Sequence, residues 1–180
     1  MLAKGRLEEA IAEYQEAVRL APGDATTHLH FGVALGVAGR AREAIGEFEQ
    51  AIRINPQYAE AHCNLGIALL KQERLDEAIA HLTEALRLNP KLLDAYLNVG
   101  IALGRKGRLD EAVARLEAGL KVSPDSAELH CNLGVALARQ GHMDDAVTCF
   151  RKALARQPDY PDAGNYLQNA LQMKRSTNTP

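Results

Sequence analysis

The chain has 180 residues, of which 47% are hydrophobic, 24% are charged and 4% are aromatic, and it contains no tryptophan. This composition is ordinary for a globular protein with one sizeable core, and its alanine and leucine content favours packed helices over sheets. The formal net charge of -2 argues against a nucleic-acid partner and against an anionic membrane surface, because both require a concentrated basic face.

The apolar runs and the cysteines of the sequence bear on membrane insertion, disulfide formation and cellular location. No stretch of 18 apolar residues occurs, and the N-terminal sequence has the pattern of an amphipathic helix and not of a secretory leader. Cys63, Cys131 and Cys149 form no CxxC pair, so neither a disulfide framework nor a zinc site is indicated. We therefore expect no membrane span, reduced thiols and a cytoplasmic location.

A period of 34 residues organises the chain. Prolines recur with this spacing at Pro22, Pro56, Pro90, Pro124 and Pro158, and glycines recur with it at Gly32, Gly66, Gly100 and Gly134. This period is typical of stacked helical hairpins, each of which contacts only its neighbours. The pattern predicts a surface that holds another chain and not a deep enclosed cavity.

The predicted elements follow this period in chain order. Residues 1–24 match only the last part of a unit, so they predict a partial first repeat with its second helix alone. Four full repeats are predicted at 25–58, 59–92, 93–126 and 127–160. Residues 161–173 predict a capping helix, and residues 174–180 predict a disordered tail. The first helix of the chain has no cap, which favours either a piece cut from a longer array or head-to-tail self-association.

Glycine has two roles in each unit. Gly39, Gly107 and Gly141 fall at the turn between two helices, where a positive φ is often needed, and Glu73 replaces glycine there once. The 34-residue glycine column lies inside helices, where each glycine costs about 1 kcal/mol relative to alanine. We expect this column to mark close crossings with the second helices, at an alanine column and the bulky residues beside it. The alanines are Ala44, Ala78, Ala112 and Ala146, and the bulky residues are Phe48, Leu82, Leu116 and Phe150.

The motif Leu65-Gly66, Ala68-Leu69, Glu77-Ala78 and Pro90 resembles the tetratricopeptide repeat over residues 1 to about 173. The resemblance implies an all-α, right-handed superhelical solenoid of helix-turn-helix hairpins, whose first helices line an inner groove for a peptide or a partner protein. The usual tryptophan of the first helix is replaced here by His28, His62, Tyr96 and His130.

No catalytic or cofactor motif is present. The repeated histidines stand about one hairpin apart, too far for several of them to bind one metal ion, and we interpret them as structural. There is no Ser/His/Asp order, no phosphate-binding glycine loop and no HExxH sequence. We therefore predict no enzyme activity, no metal and no cofactor.

Several columns of residues are candidates for the groove. The resemblance to peptide-binding members of the family implies that an asparagine row can hold the backbone of an extended ligand, and an amide can both donate and accept. The alternative is that these are ordinary polar residues of the repeat. The row is His30, Asn64, Asn98 and Asn132, and beside it are Glu60, Asp94, Glu128, Lys71, Arg105 and Arg139. An apolar strip is predicted from Leu29, Cys63, Leu97 and Cys131 and from Val33, Ile67, Ile101 and Val135.

Three functions remain open from the sequence. The first is a non-catalytic protein-interaction module that binds an extended peptide. The second is a substrate-presenting arm of a larger enzyme, such as a glycosyltransferase, and the third is a scaffold that assembles through its ends. Capture of acidic chaperone C-termini is disfavoured, because the early-helix positions that carry basic clamp residues in such family members hold Thr26, Glu60, Asp94 and Glu128 here.

Overall fold

A computed structural model describes residues 2–177 of the chain and the side chains of residues 6–175. Within this range the secondary structure is entirely helical, which confirms the all-α prediction. The ten helices are α1 (Leu2–Leu20), α2 (Ala25–Val37), α3 (Ala41–Ile54), α4 (Ala59–Lys71), α5 (Leu75–Leu88), α6 (Leu93–Arg105), α7 (Leu109–Val122), α8 (Ala127–Arg139), α9 (Met143–Arg156) and α10 (Pro161–Thr177).

The helices fall into two compact units, α1 to α5 and α6 to α10. The most extensive helix contacts in each unit are those inside the hairpins, between α2 and α3, α4 and α5, α6 and α7, and α8 and α9. In the first unit α1 packs on α2 and α3 packs on α4, and in the second unit α7 packs on α8 and α9 packs on α10. Each unit is therefore a short stack of helical hairpins.

The periodic prolines follow the ends of the odd-numbered helices. Those helices end at Leu20, Ile54, Leu88, Val122 and Arg156, each two residues before a proline. Proline cannot donate the backbone hydrogen bond that the next helical turn needs, and it also disfavours helical geometry in the residue before it. The helix ends are thus fixed locally in every repeat.

The turns inside the hairpins need a left-handed backbone. Gly39, Gly107 and Gly141 have φ angles of 78°, 76° and 87°, and Glu73 adopts 57° at the equivalent position. A residue with a side chain is strained in this region, whereas glycine is not. The predicted role of the turn glycines is confirmed, and Glu73 carries the expected strain.

The glycine column marks the closest helix crossings. A Cβ atom on Gly66 or Gly100 would lie 2.6 Å from Cγ of Leu82 or Leu116, far inside van der Waals contact. Gly32 and Gly134 face Phe48 and Phe150 in the same way, with a nearest distance of 2.6 Å. The predicted close crossing of first and second helices is confirmed. These side chains form the interior of the hairpins, which leaves other faces of the first helices available.

The C-terminal helix covers the end of the second unit. Ala163 and Ala170 are buried and join a cluster with Cys131, Ala146 and Phe150. The helix is longer than expected, because residues 174–177 are helical where a disordered tail was predicted. Lys174 pairs with Asp144 of α9, and basic residues in a last turn also suit the helix dipole. Residues 178–180 of the predicted tail lie outside the described residues.

Candidate functional site

The asparagine row is anchored to its own helices. Nδ2 of Asn64, Asn98 and Asn132 donates to the carbonyl oxygen of the residue four positions earlier, at 2.9, 2.7 and 2.9 Å. All three side chains are half-buried. One Nδ2–H bond is used by the helix, so the second N–H and the Oδ1 acceptor are left for other contacts. His30, which occupies the same column in the first repeat, is exposed, and its ring centroid lies 6.2 Å from that of Tyr14.

The first unit has an open cavity of about 230 Å³ at this row. Asn64 and the ammonium-bearing Lys71 line it together with the apolar side chains of Val33 and Ile67. Val33 is 40% exposed, which is high for a branched aliphatic side chain. An amide, a cation and apolar surface therefore meet at one place.

The second unit has a similar cavity of about 240 Å³. Asn132 and Arg139 line it beside Ile101 and Val135, which are half-buried. Arg105 also lines this cavity. The two cavities thus share their chemistry, although one contains a lysine and the other contains arginines.

Part of the predicted apolar strip lies in the core. Leu29, Cys63 and Cys131 are 6%, 6% and 2% exposed, so these three offer almost no surface to a ligand. Leu97 is half-buried. Burial raises the pKa of the Cys131 thiol to about 11, with a further contribution from Asp162, so this thiol stays protonated. The burial of these three side chains argues against the prediction that they line the groove.

The charged columns lie at opposite ends of the first helices. Glu60, Asp94 and Glu128 are exposed in first turns, and Lys71, Arg105 and Arg139 are exposed in last turns. Acidic groups at a helix N-terminus and basic groups at a C-terminus both interact favourably with the helix dipole. Stabilisation of the helices therefore accounts for the position of these charges along each helix. It does not by itself account for the presence of Lys71, Arg105 and Arg139 at the two cavities.

The histidines that replace the usual tryptophan hold the loops between hairpins. Nε2 of His28, His62 and His130 donates to the carbonyl of the proline six residues earlier, at 3.1, 3.1 and 2.9 Å. These prolines are Pro22, Pro56 and Pro124. All three histidines are buried, so the bond satisfies a polar group that would otherwise be costly in the interior. The interpretation of these histidines as structural agrees with this geometry.

The second ring nitrogen has a different environment in each repeat. Nδ1 of His28 lies 2.7 Å from Oε2 of Glu47, and Nδ1 of His62 lies 3.0 Å from Nδ1 of His81. Nδ1 of His130 is buried without a hydrogen-bond partner. The residue 19 positions after each histidine explains the difference, since Cys149 occupies that position after His130.

Neither a metal site nor a membrane-spanning helix is found among the described residues. No group of three or more histidine, cysteine, aspartate or glutamate side chains in this part of the chain is arranged to hold a metal ion. None of the helices between residues 2 and 177 is both long and apolar enough to cross a membrane.

Gly104, Ala136 and Tyr166 line the second cavity and were missed in the sequence. Tyr166 lines the cavity and lies 34 residues after Asn132, so it occupies the asparagine column of the last, incomplete hairpin. Gly104 also lines it, one turn after Gly100 in α6. The 34-residue period itself could have identified Tyr166, whereas nothing in the sequence distinguishes Gly104 from a packing glycine.

Comparisons with known proteins define the family. The tetratricopeptide repeat model matches residues 29–92 and 97–172, and a second TPR repeat model matches residues 2–36. These matches cover most of the chain, and the protein therefore belongs to the tetratricopeptide repeat family. Repeats of this family are protein-interaction modules and are generally non-catalytic.

Solved structures share the fold. One is YrrB, described as a TPR protein with an unusual peptide-binding site, which is 30% identical with a TM-score of 0.76, over 91% of this chain and 84% of that one. MamA is 28% identical with a TM-score of 0.80, over 87% and 91% of the two chains. A thermophilic TPR protein from Thermus thermophilus, 23% identical with a TM-score of 0.74 over 95% and 93%, shows the fold alone. Among curated proteins, none matches the sequence significantly.

Proposed function

We propose that the protein is a non-catalytic interaction module that binds an extended peptide along its first helices, with the asparagine row bonding to the peptide backbone. The observation that carries this proposal is the anchored amide. Asn64 and Asn132 are each held by a carbonyl of their own helix and lie at an open cavity with apolar walls.

The anchored amides suit a peptide backbone. Each asparagine offers Oδ1 to a ligand N–H and its second Nδ2–H to a ligand carbonyl, and every residue of an extended peptide other than proline presents both groups. The bond to the helix fixes the side chain before binding, which lowers the entropy lost when the complex forms. Binding of this kind is independent of the ligand side chains.

Ligand side chains would contact the apolar walls. Val33 and Ile67 in the first unit, and Ile101 and Val135 in the second, remain partly exposed after folding. Burying such surface contributes about 25 cal/mol per Å². We therefore propose a ligand that places aliphatic side chains beside the asparagines. These four residues replace the buried Leu29, Cys63 and Cys131 as the proposed apolar contacts.

The test removes the amides without disturbing the core. A peptide selected from a displayed library on the wild-type protein is measured against the triple variant Asn64→Ala, Asn98→Ala and Asn132→Ala, and we expect at least a tenfold loss of affinity. Methylation of the peptide backbone nitrogens should weaken binding to the wild type in the same way, because it removes the N–H donors.

A matched control has polar truncations elsewhere on the odd-numbered helices, Gln15→Ala, Thr83→Ala and Thr148→Ala. Thr148 makes the same type of bond to its own helix as the asparagines do, to the carbonyl of Asp144 at 3.0 Å. The control should bind like the wild type. Unchanged affinity of the asparagine variant, with its helical content intact, would rule out backbone recognition by this row.

A further inference from the structure

We propose that a separate cavity of the second unit, between α7, α8 and α9, binds a free small phenol whose hydroxyl group donates a hydrogen bond to Nδ1 of His130. We call it the His130 cavity. Its volume of about 560 Å³ is within the usual range of small-molecule sites. It shares no lining residue with the cavity at Asn132, because His130 and Asn132 lie two positions apart and face different sides of α8. The inference is therefore independent of the peptide groove.

One nitrogen of the His130 ring is left without a partner in the interior. Nε2 lies 2.9 Å from the carbonyl oxygen of Pro124, which can only accept, so Nε2 carries a hydrogen. In the neutral imidazole Nδ1 is then an acceptor. This atom is buried without a hydrogen-bond partner, and His130 as a whole is only 9% exposed. A ligand that satisfies Nδ1 must donate a hydrogen, and a bound donor recovers the free energy that the unpaired atom costs.

The first repeat shows where a partner atom can lie. Nδ1 of His28 is 2.7 Å from Oε2 of Glu47, and Cys149 occupies the equivalent position after His130. The cysteine side chain ends at Sγ and lacks the outer atoms of a glutamate. Because Nδ1 of His130 is shielded from solvent, a ligand hydroxyl reaches it when this short side chain, which lines the cavity beside His130, rotates aside.

The walls of the His130 cavity favour an aromatic body next to that hydroxyl. Leu133 is buried, Leu120 is half-buried, and Pro124 and Ala155 are exposed, and all four line the cavity. A phenol joins a flat apolar ring to one O–H donor, so burial of the ring and the hydrogen bond stabilise the same complex. An aliphatic alcohol has a weaker O–H donor, because no ring withdraws electron density from its oxygen.

The exposed lining residues carry both signs of charge. Lys121, Lys152 and Glu117 line the cavity, and Arg156 forms an ion pair with Asp125 there. A surface without one dominant sign of charge does not concentrate anions or cations, which favours a neutral ligand. Since the cavity is separate from the proposed peptide groove, the ligand is a free molecule and not a side chain of the bound peptide.

The test titrates the protein by NMR at pH 8 with 4-ethylphenol and with 4-ethylanisole, in which a methyl group replaces the hydroxyl hydrogen. We expect 4-ethylphenol to shift the amide signals of Leu120, His130 and Cys149. It should also bind at least about fivefold more tightly than 4-ethylanisole, which is the usual effect of one hydrogen bond. His130→Phe removes the acceptor and should make the two probes bind equally.

Two substitutions at position 149 should act in opposite directions. Cys149→Glu supplies a carboxylate beside Nδ1, as Glu47 does for His28, and should abolish the preference for 4-ethylphenol. Cys149→Ala uncovers Nδ1 and should bind 4-ethylphenol at least as tightly as the wild type. The matched control is Thr148→Ala, one position away in α9, which should bind both probes like the wild type. Circular dichroism checks that each variant keeps its helical content.

Equal binding of the two probes to the wild type, or signals of the cavity that do not shift, would overturn the inference. A preference for 4-ethylphenol that survives in Cys149→Glu or in His130→Phe would overturn it as well, because the hydroxyl would then bind elsewhere. Tighter binding of N-acetyltyrosinamide than of 4-ethylphenol would assign the cavity to a tyrosine side chain of a partner protein and would disprove the assignment to a free phenol.

Discussion

Two glycines one turn apart in α6 have opposite surroundings. Gly100 faces α7, where a Cβ would lie 2.6 Å from Cγ of Leu116 and 2.7 Å from its Cδ2. Gly104 faces Arg139 of α8, whose Nη1 would be the nearest atom to a Cβ, at 3.6 Å. The same residue type in the same helix is thus required by packing in one place and not in the other. Periodicity separates them, since the first is glycine in all four full repeats, whereas the second is glycine in two of them, at Gly36 and Gly104.

The largest expected effect is at the packed glycine. Gly100→Ala improves helix propensity by about 1 kcal/mol, but overpacking costs about 1–3 kcal/mol, because the contact is with the branch point of Leu116 and not with the end of a flexible side chain. We expect a net loss of up to about 2 kcal/mol in the free energy of unfolding, measured by urea denaturation followed by circular dichroism.

Removing the obstructing side chain should reverse the sign. In a Leu116→Ala background, which is itself destabilised by about 2–5 kcal/mol, Gly100→Ala should stabilise the protein, because only the propensity gain remains. If Gly100→Ala has the same effect in both backgrounds, close contact with Leu116 does not explain the glycine column.

How far the sequence predicted these features depends on whether a constraint is local and repeated. The prolines and the glycine column act within one hairpin, so the period alone indicated the helix ends and the close crossings. The burial of Cys63 and Cys131 was missed, because one position around a helix corresponds to about 100° and the pattern does not fix which side faces the neighbour. The hydrogen bond from Nη1 of Arg139 to the carbonyl oxygen of Gly104, at 2.6 Å, joins different repeats through a long side chain, and no spacing rule predicts it.

The buried histidines show a similar contrast, between a ring nitrogen that has a hydrogen-bond partner and one that has none. His28 has Glu47 as the partner of its Nδ1, whereas the equivalent Nδ1 of His130 has no hydrogen bond, and Cys149 occupies the position that corresponds to Glu47. A buried polar atom without a partner costs about 1–3 kcal/mol. Cys149→Glu places a carboxylate beside His130, as Glu47 lies beside His28. We expect this change to raise the free energy of unfolding by about 1–2 kcal/mol.

The control for this change is His130→Phe combined with Cys149→Glu, where the new carboxylate has no partner. Its free energy of unfolding should be lower than that of His130→Phe alone. If Cys149→Glu stabilises the protein equally with and without the histidine, the unpaired Nδ1 is not the origin of the gain.

Substitution of Gly104 should change the free energy of unfolding less than substitution of Gly100, and in the opposite direction. Gly104→Ala should stabilise the protein by up to about 1 kcal/mol, because helix propensity improves and the methyl group meets Arg139 at an ordinary distance. Thermal denaturation of the two alanine variants side by side is the direct comparison. A loss of stability at position 104 would mean that this glycine, too, is needed for packing.

The smallest expected effect is a pH dependence of stability that comes from His81, the partner of Nδ1 of His62. Burial lowers the pKa of His81, and the adjacent His62 and the more distant Arg74 lower it further, while Glu49 and Glu77 oppose them. The ordinary pKa of a histidine is 6.5. Above this pH, His81 is neutral in both the folded and the unfolded protein, and its contact with His62 is fully formed. As the pH falls below 6.5 the unfolded chain binds the proton first, and stability decreases until the pH reaches the folded pKa. Between about pH 7.5 and 5, the wild type should therefore lose more stability than His81→Gln, and parallel profiles of the two proteins would contradict this origin of the acid sensitivity.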